Sequence, residues 1–267
     1  MVSQKMTNSD EWWLTPNGRC LLAWEQAQLD EMVHNIFGYH ALQIGTPQLN
    51  AFAANRIPQQ WLGLIKAETL ALTQDVPLSI QPAKQVRFFV DSTALPFPND
   101  SLDLIILPHT LEHSGDAHAT LREVDRVLRP EGRFIIVGLN PFSLWTLKKW
   151  PLSIYYKISS KLCPHEVKSS NSYRTISCWS LLDWLKLLDF EIEELRFGVY
   201  QPLVKDSAWL HRCKWMNQLG QRWWPIFGAA YLLSGTKKVH GMRLLGPAWR
   251  HLSKMKTITP AVSWFQP

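Results

Sequence analysis

Short, nearly continuous apolar runs alternate along the chain with stretches of helical periodicity. His40-Ala41-Leu42-Gln43-Ile44, ending at Gly45, reads as a buried strand entering a tight turn. Val86-Arg87-Phe88-Phe89-Val90, ending at Asp91, and Leu102-Asp103-Leu104-Ile105-Ile106-Leu107 have the composition of parallel strands covered on both faces. Pro96-Phe97-Pro98-Asn99-Asp100 between them carries turn chemistry and predicts a loop. Asp116 then stands where a helix N-cap belongs. Leu121, Val124 and Leu128 follow at helical spacing until Pro130-Glu131-Gly132 stops the pattern, and Phe134-Ile135-Ile136-Val137 is the next strand. Strand, helix, strand with short joints predicts βαβ units in a doubly wound, mostly parallel α/β sheet.

The flanks are less regular. Trp24, Leu29, Met32, Val33 and Ile36 recur at roughly helical spacing before Gly38, a candidate stop, so residues 1–38 are expected to form a helical N-terminal cap. Between 46 and 85, Trp61–Ile65 and Val76–Ile80 compete for the second strand. Later, Ser177 could cap a helix through Trp179, Leu182, Trp184 and Leu188. Phe190–Glu193 and Ala229–Leu233 are the late strand candidates.

At 46% hydrophobic and 12% aromatic residues, the 267-residue chain has ample apolar surface to offset ordering entropy, which excludes a disordered polymer. Cys20, Cys163, Cys178 and Cys213 contain no C-x-x-C pair, so neither a zinc site nor a disulfide framework is indicated, and a reducing compartment suits them. No charged-then-apolar leader and no run approaching ~18 apolar residues is visible, so a cytoplasmic protein without an integral membrane segment is expected.

Charge is distributed unevenly. Residues 201–267 hold ten Lys and Arg against one acid, whereas the first 200 residues are slightly acidic. Within the amphipathic, Trp-rich segment 206–224, a helix from Ala208 to Trp224 would gather Trp209, Cys213, Met216, Leu219, Trp223 and Trp224 on one side, with Lys214 and Arg222 opposite. Peripheral contact with a membrane or a nucleic acid through residues 206–256, a lid over a greasy acceptor, and plain packing on the sheet all remain open. The tail 241–267 is expected to be mobile.

Ligands of open α/β sheets bind beyond the carboxyl ends of the strands. The residues at issue are therefore Gly45-Thr46-Pro47, Asp91-Ser92-Thr93, Pro108-His109-Thr110 and Gly138-Leu139-Asn140. Residues 89–141, FVDSTALPFPNDSLDLIILPHTLEHSGDAHATLREVDRVLRPEGRFIIVGLNP, closely resemble the second half of a class I S-adenosylmethionine-dependent methyltransferase of the small-molecule type that includes ubiquinone-biosynthesis methyltransferases. The resemblance implies a seven-stranded Rossmann-like domain over about 39–240, S-adenosylmethionine as cofactor, and a small or lipid-like acceptor. It also implies that Asp91 accepts from the adenine amine while the Ser92 amide donates to a ring nitrogen, with Thr93 beside them. The bland alternative is that Asp91 caps its own loop.

The turn after the first strand departs from the family's pattern of an acid followed by alternating glycines. Gln43 stands where the acid would be, Gly45 is the surviving glycine with Thr46 beside it, and Pro47 removes a backbone donor. Glu68 is the nearest candidate for holding ribose hydroxyls. His109, Glu112, His113, Asp116 and His118 are the densest titratable set. His109 or His113 could act as a base, or simply hydrogen-bond within the loop beside Glu112. The H-E-x-x-H order of a metal site is absent. Asn140-Pro141-Phe142 resembles the N-P-P-Y motif of amino-group methylases but follows the fifth strand candidate, not the fourth. The rival to an enzyme is a non-catalytic scaffold that kept the fold and binds a membrane or macromolecule through its basic end.

Overall fold

The computed structural model describes residues 13, 15–65, 85–143, 145, 175–201 and 215–238. Val76–Ile80, Glu68 and the tail 241–267 lie outside the described residues, as do Trp209 and Cys213. The described chain runs α1 (Pro16–Val33), β1 (His40–Ile44), β2 (Gln59–Leu64), β3 (Gln85–Phe89), β4 (Leu102–Pro108), α2 (Thr110–His113), α3 (Ala117–Val127), β5 (Leu128–Leu139), α4 (Cys178–Leu187), β6 (Phe190–Gly198), α5 (Trp215–Trp223), a 3-10 turn (Pro225–Phe227) and β7 (Ala230–Lys237).

The seven strands form one open sheet in the order β3-β2-β1-β4-β5-β7-β6. All neighbours are parallel except at β7, which runs antiparallel to both β5 and β6. The order reverses between β1 and β4, and open α/β sheets bind ligands beyond the carboxyl ends of the strands at such a point. Leu42, Ile105, Leu107, Phe134 and Ile136 pack on one face with Leu121, Val124, Leu181 and Leu185 of the helices. Ala41, Leu104, Ile106, Ile135 and Val137 face α1 through Leu29 and Val33. Central strands covered on both faces lose polar alternation, which is why they were legible as apolar runs.

Local chemistry sets the element ends. Asp116 Oδ1 accepts from the amides of His118 and Ala119, capping α3. Leu128, grouped with that helix by spacing, instead starts β5, pairing with Leu102. Ser177 is the N-cap of α4, but its hydroxyl makes no capping bond.

Helix α1 differs from expectation at both its stop and its stripe. It begins at Thr15, whose hydroxyl accepts from the Gly18 amide, and ends at Val33 rather than running to Gly38. The Asp103 carboxylate takes the Tyr39 and His40 amides just beyond, so the chain is already turning into β1 at Gly38. The buried stripe is Leu21, Glu25, Leu29 and Val33 at four-residue intervals, with Asn17 and Gly18 before it, whereas Trp24 lies at its edge. An acid inside the stripe hides it from a purely apolar count. Trp24 seats against Gly198 at the end of β6, where any Cβ would overlap the indole.

Candidate functional site

The carboxyl ends of β1 and β4 are stitched together. Thr110 Oγ1 donates to the Ile44 carbonyl, and Thr46 Oγ1 donates to the Pro108 carbonyl at 3.0 Å. Gly45 has φ +86°, and a Cβ there would meet Thr110 Oγ1 at 3.0 Å, so both conformation and space call for glycine. Thr46 follows with φ +30°.

Gln43 is fully buried, and its amide closes the loop behind it. Nε2 donates to the carbonyls of Gly45, Thr46 and Leu49 at 3.3, 3.1 and 2.9 Å, and Oε1 accepts from the Ala51 amide at 3.2 Å. A carboxylate has no hydrogen to donate to these carbonyls. The neutral residue therefore suits the fold of the 45–51 loop, and its acceptor oxygen is already engaged by the chain.

At the end of β3, Asp91 is exposed and its Oδ1 accepts from the amide and hydroxyl of Thr93 at 2.9 and 2.8 Å. These two bonds hold its carboxyl below the usual aspartate range. Ser92 is buried in a hydroxyl cluster with Ser114 and Thr120, with oxygen separations of 2.8 to 3.3 Å, which ties this loop to the start of α3.

His109 occupies the turn after β4 in a left-handed conformation, φ +55°. It is 1% exposed, with Nε2 2.9 Å from Glu25 Oε1 and Nδ1 3.4 Å from Glu112 Oε2. The Trp13 ring lies 5.2 Å away. Glu112 Oε1 accepts from the Leu139 amide at the end of β5. Burial alone would depress the His109 pKa, but the Glu25 charge and the facing Glu112 carboxylate outweigh it and lift it to about 10. His113 is exposed, and its Nδ1 donates to the His109 carbonyl at 2.7 Å. The structure thus gathers Gln43, Gly45, Thr46 and His109 at the β1–β4 junction, and Asp91, Ser92 and Thr93 beyond the end of β3, which β2 separates from β1. Sequence reasoning missed Glu25, whose signal was an acid at the buried register of α1.

Two cavities of about 250 and 280 Å³ are lined by residues such as Glu31, Arg133 and Arg196, and Asp103, Arg129 and Arg133. They lie toward the amino ends of the central strands, away from the β1–β4 junction. Among the described residues no group of His, Cys, Asp and Glu is arranged to hold a metal, and no helix is long and apolar enough to cross a membrane.

Comparison with known proteins agrees with this geometry. Residues 69–136 match the methyltransferase domain family. Over 191 residues the chain is 31% identical to the uncharacterized protein YafS of Escherichia coli (strain K12), covering 72% of this chain and 69% of that one. It is 28% identical over 149 residues to the ubiquinone/menaquinone biosynthesis C-methyltransferase UbiE of Paraburkholderia xenovorans (strain LB400), covering 52% and 59%. Among solved structures, a chain of the Haloferax volcanii complex between the Trm112 methyltransferase activator and a methyltransferase superposes with a TM-score of 0.57 at 17% identity, over 87% of this chain and 96% of that one. An S-adenosylmethionine-dependent methyltransferase from Mesorhizobium loti gives 0.52 at 14% identity, over 79% and 97%. The open, mostly parallel seven-stranded sheet with its strand-order reversal between β1 and β4 defines a Rossmann-like methyltransferase fold. The chain belongs to the class I S-adenosylmethionine-dependent methyltransferases, enzymes whose cofactor is S-adenosylmethionine.

Two outcomes follow from the geometry. Restoring an acid with Gln43→Glu sets a buried carboxylate against three carbonyl oxygens, so it is expected to cost about 2–4 kcal/mol in urea denaturation. For His109, the folded pKa lies above the ordinary 6.5, so the stability of its charged form is fully present below pH 6.5 and lost as pH rises through about 10. The midpoint of thermal unfolding should therefore fall across that window, and His109→Gln should flatten the fall.

Proposed function

We propose that the enzyme methylates a lipid-like acceptor taken from an anionic membrane surface, with the nucleoside of its cofactor held at the β3 end and the β1 turn. The observation that carries the acceptor reading is an exposed apolar face next to the crevice. Trp215, Leu219, Trp223 and Trp224 on and beside α5 and Ile226 and Phe227 of the 3-10 turn are all more than 40% exposed. Asn140, just after β5, donates its side-chain amide to the carbonyls of Ile226 and Gly228 at 2.6 and 3.0 Å, which brings the face to the carboxyl edge beside exposed Phe142. α5 itself packs inward through Gly220 against Tyr200 and leaves the tryptophans outward.

Tryptophan is favoured at a lipid–water boundary because one end of the ring is apolar and the other donates a hydrogen bond. The segment leading into and forming α5 carries Lys205, Arg212, Lys214 and Arg222 against Asp206, a balance suited to acidic headgroups. Membership of the methyltransferases speaks against the scaffold reading, and the UbiE likeness is consistent with a greasy acceptor.

The residues present fit the cofactor at its nucleoside end. Asp91 is an exposed carboxylate at a strand end whose Oδ2 makes no bond to the loop that Oδ1 caps, so it can accept from an exocyclic amine. Gly45 lets the backbone approach closely. Gln43 fits less well as a partner for the cofactor's ammonium, because its acceptor oxygen already receives the Ala51 amide. When bound, S-adenosylmethionine supplies an activated methyl group, so the chain's task is chiefly alignment and exclusion of water. His109, held protonated between two carboxylates, is unsuited to remove a proton near neutral pH. The exposed His113 is the better candidate base where the acceptor needs one.

Asp91→Asn should weaken S-adenosylhomocysteine binding about tenfold in titration calorimetry, with the fold retained by circular dichroism. Co-sedimentation with vesicles tests the acceptor surface. The protein should bind phosphatidylglycerol-containing vesicles more tightly than phosphatidylcholine ones, and the pair Trp223→Ala/Trp224→Ala should lose that binding several-fold. Binding to an RNA oligonucleotide with no binding to either vesicle would overturn the lipid reading.

A further inference from the structure

The cluster around His109 contains more charge than its packing needs. Glu25 occupies a position in the α1 stripe between Leu21 and Leu29 where an apolar side chain would serve the core directly. A buried carboxylate is costly unless paired, and even a good buried pair is often no more stabilising than a hydrophobic substitute. Glu25 Oε2 has no hydrogen-bond partner among the described residues, so the pairing is incomplete as a source of stability. What the pair does fix is a backbone. His109 is a non-glycine residue at positive φ, a conformation that persists where surrounding structure over-determines it. On one side the ring is bonded to Glu25 of α1, 84 residues away, and on the other Glu112, three residues on, lies 3.4 Å from Nδ1. The residues flanking this turn make the two bonds that join β4 to the β1 turn, through Pro108 and Thr110.

We infer that Glu25 is a positioning residue for methyl transfer: reaching from the N-terminal helix, it clamps His109 and thereby sets the turn that holds Pro108 and Thr110 against Gly45 and Thr46. The helix is then part of the cofactor edge, because the clamp couples the seat of α1 to the shape of the crevice. Glu112 completes the clamp and passes it to β5 through the Leu139 amide. This inference rests on the assignment of the nucleoside site to that edge.

The test compares Glu25→Gln, which keeps the shape and removes the charge, with Leu29→Ala, which opens a cavity one turn along the same helix without touching His109. Both are titrated with S-adenosylhomocysteine at a temperature where circular dichroism shows them folded. E25Q should bind about tenfold more weakly than the wild type. L29A should lose thermal stability yet keep its affinity within about twofold, since it leaves the Glu25–His109 contact in place. Should E25Q fail to fold, Glu25→Asp, which keeps the charge but withdraws it by one methylene, reads the same quantity. Wild-type affinity in the Glu25 variants, or an equal loss in L29A, overturns the positioning role alone. A folded wild type that takes up no S-adenosylhomocysteine overturns the nucleoside site together with it.

Discussion

Two side-chain bonds across the strand-order reversal, Thr110 to the Ile44 carbonyl and Thr46 to the Pro108 carbonyl, carry the geometry on which the rest depends. In a doubly wound sheet the strand-order reversal, here between β1 and β4, is where ligands bind beyond the strands' carboxyl ends. What forms there is decided by how the two loops are fastened. Here they are fastened tightly to one another, and the fastening is reinforced from α1, α2 and β5. The result is a junction of strand ends built more from mutual loop contacts than from a row of glycines.

That organisation gives the departure at Gln43 a physical meaning. An acid in the β1 turn could receive a ligand cation but could not donate. The glutamine shares its two N–H hydrogens among three carbonyls and thereby folds the 45–51 loop on itself. The turn is therefore internally satisfied, which is compatible with Pro47 lacking an amide hydrogen. Negative charge near the edge comes instead from Glu25 and Glu112, where it is balanced in part by His109. The exposed aromatic face lies beyond the other side of this edge, past β5, so the nucleoside and acceptor ends of the reading draw on different parts of the chain.

The architecture was legible in the sequence wherever the physics is local. Leu102–Leu107 and Phe134–Val137 are apolar because both faces of a central strand are covered, and Asp116 declares a helix start by its own side-chain bonds. The site was less legible because its decisive contacts are not local. Glu25 meets His109 across 84 residues, and nothing around either marks the other. Residues 41–44 of β1 are all buried, so the period-two rule could not say which way Gln43 points. The α1 stripe was displaced for a related reason, since it contains the acid that an apolar count passes over.

The reversed direction of β7 has a consequence for the basic end of the chain. Ala230 pairs with Leu139 at the edge bearing the tryptophans, while Lys237 pairs with Phe190 at the opposite rim. At roughly 3.4 Å per residue, eight residues carry the polypeptide about 25 Å away. Lys237 and Lys238 are neutralised there by Asp100, Asp125 and Glu191. The positive charge that looks like one block in a linear count is thus interrupted by a whole strand length, with Arg222 before its first residue and Lys237 and Lys238 at its far end.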